Sequence, residues 1–304
     1  MFGPLRVKQP RAEMVVPRKY GNLLADPQAF VAELGRMHEA MEDLTGVPCG
    51  GRDRLILAFE HGNHGALWAY ADGSPGHHVG VPPATWPRLV AAANRRPMVS
   101  ALVHELGHVA FWWDWEPRVG SHYLMWGGAV EGTATPTGAY ACVKYQRVPA
   151  WIDFPAGDRD WASLQDFVND ILRGGVEARK RGAAGQDSVG HQGHGDAASM
   201  VEATLWDLFF RVLGSYDAYR QVLHHYVAAL RTPAQAQLDD HAKMSGFFAL
   251  LGQAAGLDLA DYLTAWGYDA TDVRAACRHL PACDARLPDP PPPVYGKVTE
   301  PGWA

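Results

Sequence analysis

An α+β fold is predicted by three features of the 304-residue chain. Short apolar runs bounded by Gly and Pro are confined to the first 125 residues. Beyond them, apolar residues recur at helical spacing. At the junction, the almost wholly apolar stretch MVSALVHELGHVAFWWDW (98–115) encloses two histidines and a glutamate. The predicted organisation is an N-terminal α/β lobe over 1–125 that includes this helix, a mainly helical lobe over 126–285, and a Pro-rich extended tail over 286–304.

Residues 1–25 mix prolines and charges and predict an irregular lead-in. DPQAFVAELGRMHEAMEDLTG (26–46) opens on Asp, keeps helical spacing and closes on Gly, so a helix is expected. RLILAFE (54–60) and GALWAYADG (65–73) flank HGNH and predict a β-hairpin, with HHVGVPP (77–83) as a third, edge-like strand ended by its prolines. Asn94 and Pro97 occupy cap and first-turn positions for the helix carrying the 98–115 stretch. A second helix over 127–146, kinked at Pro136, is expected next, then one over 161–181. The Gly-rich GAAGQDSVGHQGHGD (182–196) leads into a central helix, and further helices are expected over 216–231, 238–256 and 258–267.

Composition narrows the function classes. Hydrophobic residues make up 47% and charged residues 20%, enough for a substantial core. The net charge is −6 with no basic block, which argues against nucleic acid and anionic membranes as partners. No apolar run is long enough to span a bilayer. The first residues lack the unbroken apolar core of a secretory signal, so a cytoplasmic location is expected, export by another route remaining open. Cys49, Cys142, Cys277 and Cys283 show no CxxC spacing and are expected to stay reduced.

Buried polar groups are unfavourable unless partnered, so the trio His104, Glu105 and His108 demands a partner. The bland alternative is a core helix whose histidines hydrogen-bond to backbone. Four residues apart on a helix, the two imidazoles share a face and can grip one ion, zinc by default. Glu105 stands beside that ion, placed to take a proton from a bound water, and Gly107 leaves room nearby. A third ligand is required. Glu131 in GGAVEGTAT (127–135) lies far enough along for a second helix to return beside the first. Asp114 is another candidate, although Phe111 stands where the chain would have to break. His191 or His194 in the Gly-rich loop is a third. An oxyanion donor is also expected, with His194 first, His191 second and Tyr140 third. Glu202, in a nearly all-apolar helix, is expected to be buried, bracing a site histidine or pairing with an arginine.

VHELGH followed by VEGTA resembles the gluzincin zinc metallopeptidases, the broad thermolysin-like group. The resemblance implies a zincin-like fold, with His104, His108 and Glu131 as zinc ligands and Glu105 as general base. Several gluzincins carry an acid four residues after the glutamate ligand; this chain has Thr135 there, followed by Pro136. The expected activity is a zinc-dependent hydrolase acting on a peptide or amide bond. The alternatives are a specialised zinc hydrolase or tailoring enzyme for one small metabolite, and a non-catalytic binding module with structural zinc. The Pro-rich tail could serve a protein partner.

Overall fold

The computed structural model describes residues 3–49, 54–59, 68–69, 79–111, 114–116, 121–127, 129–150, 152, 161, 163–183, 196–283 and 286–287. Within them the chain is a mixed α+β fold: one five-stranded sheet, a two-stranded ribbon and many helices. It divides into two units, Met1–Trp113 with Thr137–Leu164, and Asp114–Pro136 with Gln165–Ala304.

The first unit begins with β1 (Leu5–Lys8) and β2 (Ala12–Val16), paired antiparallel with Leu5 opposite Val16. The irregular lead-in expected over 1–25 is therefore replaced by strands and the single turn α1 (Arg18–Gly21). The charges that argued for a loop are compensated inside the sheet. Glu13, 4% exposed, is met by Arg6 at 2.5 Å and by Lys8 and Arg54 at 3.6 Å. α2 (Pro27–Thr45) forms as its local signals predict. Asp26 Oδ1 accepts from the Ala29 amide at 2.9 Å, and Gly46 ends the helix at φ 75°. This helix is the crossover between β2 and the parallel strand β3 (Leu55–Phe59).

The described strands of the 54–60 and 65–73 segments are not neighbours in the sheet, unlike the expected hairpin. β4 (Trp68–Ala69) pairs antiparallel with β5 (Val79–Val81), and β5 lies parallel to β3, giving the order β1-β2-β3-β5-β4. β5 is consequently an inner strand rather than an edge. Val79 and Val81 are both fully buried, as a strand covered on both faces requires. The HGNH segment lies outside the described residues.

α3 (Trp86–Arg95) and α4 (Ser100–Ala110) follow. Asn94 does not cap α4. It sits in the last turn of α3, where its side chain bonds the Ala25 amide (2.8 Å) and the Leu23 carbonyl (2.9 Å). Pro97 lies ahead of α4, whose N-terminus at Val99 has no side-chain cap. Backbone holds this end instead. The Ser100 amide donates to Ala150 O at 2.8 Å, the Ala150 amide to Met98 O at 2.8 Å, and the Ile152 amide to Ser100 Oγ at 3.1 Å.

The helix expected over 127–146 is three short ones: α5 (Ala129–Gly132), α6 (Ala134–Gly138) and α7 (Tyr140–Lys144). Gly138 shows what shapes this stretch. A Cβ there would stand 1.8 Å from the Val103 carbonyl oxygen and 3.3 Å from the Gly107 nitrogen. The end of α6 thus rests on the α4 backbone, a contact that only glycine permits.

In the second unit, β6 (Trp115–Glu116) and β7 (Ser121–His122) form the ribbon. α8 (Leu164–Lys180) falls within the expected 161–181. α9 (Asp196–Asp207) runs on into a π-helical turn, Leu208–Val212, and α10 (Asp217–His225) into another, Tyr226–Leu230. α11 (Pro233–Ala236), α12 (Asp240–Ala255), α13 (Ala260–Ala265) and α14 (Thr271–Cys277) complete it. Its core is aromatic: Phe209 stacks on Tyr219 with centroids 4.9 Å apart, and Trp126 lies 5.7 Å from both Phe247 and Phe248. α5 packs on α9, since a Cβ at Gly132 would lie 2.5 Å from Val201 Cβ and 2.7 Å from Ala198 O. All four cysteines are free thiols, and Cys49, Cys142 and Cys277 are buried. Among the described residues no helix is long and apolar enough to cross a membrane. The residues of the tail after 287 lie outside the described set.

Replacing Gly138 by Ala should force α6 off the α4 backbone. A loss of about 1–3 kcal/mol is expected, typical of overpacking, and denaturant titration of wild type against Gly138→Ala measures it. Equal midpoints would mean that the α4–α6 contact is not constrained as described.

Candidate metal centre

The site is built on α4. Leu102, Val103, Leu106 and Val109 are fully buried and fix the helix in the first unit. α2 and the strands β4 and β5 pack against it. One turn apart, His104 and His108 are half-buried and turn their rings to one another at 87°. Their Nε2 atoms are 3.1 Å apart. Two imidazole nitrogens about 2.0–2.1 Å from one tetrahedral zinc would be about 3.3 Å apart, so this pair already has the spacing of two ligands on one ion.

Among the described residues, His104, His108 and Glu131 are the one group of three or more His, Cys, Asp or Glu whose ligand atoms all lie within 4.8 Å of one another. Two imidazoles and a carboxylate form a donor set suited to a divalent transition-metal ion. Glu131 lies on α5 and is half-buried.

Glu105, between the histidines in sequence, is only 8% exposed, and among the described residues its carboxylate makes no hydrogen bond or ion pair. The other deeply buried acids are served. Glu13 and Glu33 are met by arginines, Asp207 by Nε and Nη2 of Arg211, each at 2.7 Å, and Asp258 Oδ1 by the Ala260 amide at 2.9 Å.

The other expected site residues are not members of that ligand group among the described residues. Tyr140, considered as an oxyanion donor, gives its hydroxyl to Asp43 Oδ2 at 2.5 Å; Lys144 reaches the same oxygen at 2.8 Å. This arrangement belongs to the packing of α7 on α2. His191 and His194 lie outside the described residues. Glu202 is half-buried, not buried as expected. Thr135, where the resembling enzymes carry an acid, is 8% exposed.

Asp114, weighed as a third ligand, is not in the ligand group and has a different setting in the second unit. It is fully buried, with the Leu124 amide donating to Oδ2 at 2.9 Å and His122 Nδ1 3.9 Å from the same oxygen. The Tyr226 hydroxyl, Arg231 and Lys243 also act on it, but desolvation outweighs them and pushes its carboxyl up to about 7. Lys243 Nζ donates to His122 O at 2.6 Å, and Arg231 lies over the Tyr123 ring at 5.0 Å. Sequence reading did not find this cluster, because its members come from β7, α12 and a π-helical turn with no shared motif.

No protein-family model matches the chain, and no curated protein matches it. Solved structures do match in fold. A conserved protein of unknown function from Bacillus anthracis str. Ames aligns over 92% of this chain and 52% of its own, with 13% identity and a TM-score of 0.61. A metallopeptidase from Bacteroides thetaiotaomicron aligns over 93% of this chain and 47% of its own, at 12% identity and a TM-score of 0.59. A metallopeptidase in complex with Tn antigen gives 93% and 52%, 13% identity and a TM-score of 0.56. The chain thus spans about half the length of the structures it matches. At such identities the likeness establishes the fold; the ligand set is a property of this chain's own residues.

The Asp114 setting has a definite pH consequence. Unfolded, its carboxyl ionises near the ordinary 3.8; folded, it holds its proton to about 7. The native state binds more protons in that window, so this group's contribution is fully present below pH 4 and is lost as pH rises through 7. Asp114→Asn should therefore be more stable than wild type at pH 8, by on the order of 2–4 kcal/mol, with the gap closing towards pH 4. Denaturant midpoints at pH 4, 6 and 8 would reveal a constant gap if burial does not control this acid.

Proposed function

We propose that the chain is a metal-dependent hydrolase that cleaves a peptide or amide bond, with zinc held by His104, His108 and Glu131. The observation that carries this reading is the His–His–Glu ligand group, with a nearly buried carboxylate, unpartnered among the described residues, one residue after its first histidine. Fold likeness to two metallopeptidases supports the same class. When bound, zinc would supply a Lewis acid that lowers the pKa of a water and polarises a carbonyl.

The rest of the chemistry falls to the chain's own side chains. His104 and His108 present Nε2 from one helix face, so their spacing is fixed before any ion arrives. Glu105 can accept a proton from the attacking water at a carboxylate oxygen that no other group claims, and pass it to the leaving amine. The apolar flanks of α4 keep bulk water from competing for that carboxylate. A non-catalytic module with a structural ion would have no use for an unpartnered acid in this position.

Glu105→Gln should keep stoichiometric metal and native stability, since it removes no hydrogen bond, while turnover falls by about 10²–10⁴-fold. His108→Ala and Glu131→Gln should lose the metal. Elemental analysis of each purified variant, with assays on a peptide library and on small amides, separates these outcomes and the two substrate classes. Metal retained in Glu131→Gln would refute the ligand assignment, and full activity in Glu105→Gln would refute the base.

A further inference from the structure

The first unit contains a cavity of about 590 Å³ whose wall includes Glu33 and Arg36 of α2, Arg95 and Arg96 at the end of α3, and Gln146 and Arg147 just after α7. Four guanidinium groups against one carboxylate line a single concavity, on a chain whose net charge is −6. The cations have been gathered here against the overall balance.

Three of these guanidinium groups have partners that leave much of their charge uncancelled. Arg36 Nη1 lies 2.5 Å from Glu33 Oε2, and Arg147 Nε lies 3.6 Å from Glu33 Oε1. The two arginines share one negative charge, on a residue only 4% exposed. Arg96 donates to a neutral group, the Trp161 carbonyl, at 2.8 Å, so its charge is not cancelled there. The backbone also departs from its easiest path at this wall. Gln146, at φ 52°, is the one non-glycine with positive φ among the described residues. It closes α7 while the Arg147 amide returns to Cys142 O at 2.8 Å. Its side chain lines the cavity while Nε2 donates to Val143 O at 2.8 Å, a bond that glycine could not make.

We propose that this cavity binds a compact oligoanion bearing at least two oxyanion groups, phosphate or carboxylate. Guanidinium forks match such groups bidentately, and several converging on one cavity recognise more than one of them. The volume falls within the range of about 300–1,000 Å³ usual for small-molecule sites. Glu33 spaces Arg36 and Arg147 and tempers their repulsion until the ligand's charge takes over. Nothing in this inference rests on the metal reading.

Calorimetric titration of the full chain with pyrophosphate, and separately with citrate, at constant ionic strength tests it. Saturable binding of at least one probe is expected, and the preferred probe identifies the oxyanion class. Arg95→Gln and Arg147→Gln should each weaken that binding about tenfold, the worth of one charged hydrogen bond. Glu33→Gln should tighten it by releasing two guanidinium groups. Circular dichroism checks the fold of each variant. Should Glu33→Gln fail to fold, Arg95→Gln, at an exposed helix end, carries the test alone. Absence of binding by both probes at millimolar concentration, or affinities indifferent to these substitutions, would overturn the proposal.

Discussion

Two imidazole nitrogens 3.1 Å apart cannot turn lone pairs on one another without repulsion. Either one ring donates a proton to the other, or a cation stands between them. The structure around α4 serves to hold that pair at this spacing. The helix is pinned at its start by the backbone bonds with Ala150 and along its length by apolar contacts with α2 and the sheet. At its middle, the glycine-only approach of Gly138 bears on the backbone of Val103 and Gly107. The helix that carries the two imidazoles is thus held firmly, which favours a ligand pair that is ready before it is occupied.

What could be read from the sequence, and what could not, divides by the range of the interactions. α2 was legible because its signals are local: Asp26 caps, Pro27 opens and Gly46 closes within one continuous stretch. α4 and its histidine pair were legible because four-residue spacing on an apolar helix leaves little freedom. The sheet order was not, because β5 enters between β3 and β4 through pairings that no adjacent residues encode. The first strands were missed for the same reason: Glu13 looks like a loop residue until Arg54, just ahead of β3, comes alongside. The break of 127–146 into three helices depends on α4 and α9 pressing against Gly138 and Gly132, and helical periodicity is blind to such neighbours. The arginine cavity was hidden more thoroughly, its cations being scattered along the chain and outvoted in the net charge.

At 12–13% identity, what the matched structures are shown to share with this chain is the path of the backbone. A fold survives such divergence because burial pattern and volume, rather than particular side chains, hold it together. It follows that the metallopeptidase likeness cannot assign a catalytic role to any residue here. The chemical argument has to come from side chains whose placement the fold alone does not explain.

Glu105 is such a side chain. This chain treats buried acids consistently: Glu13 gets three cations, Glu33 two, Asp207 a two-point arginine, and Asp258 a backbone amide. Even Asp114, the least well served of these, has the Leu124 amide. Glu105 has none of these aids, although it is as deeply set as Asp258. A purely structural role gives no reason to forgo a partner, since an apolar residue would fill the same space without the desolvation penalty. The proposed general base gives one: its lone pairs must be vacant when the water arrives. On the proposed reading, the lack of a partner among the described residues marks Glu105, beside the paired imidazoles, as the acid left available for chemistry.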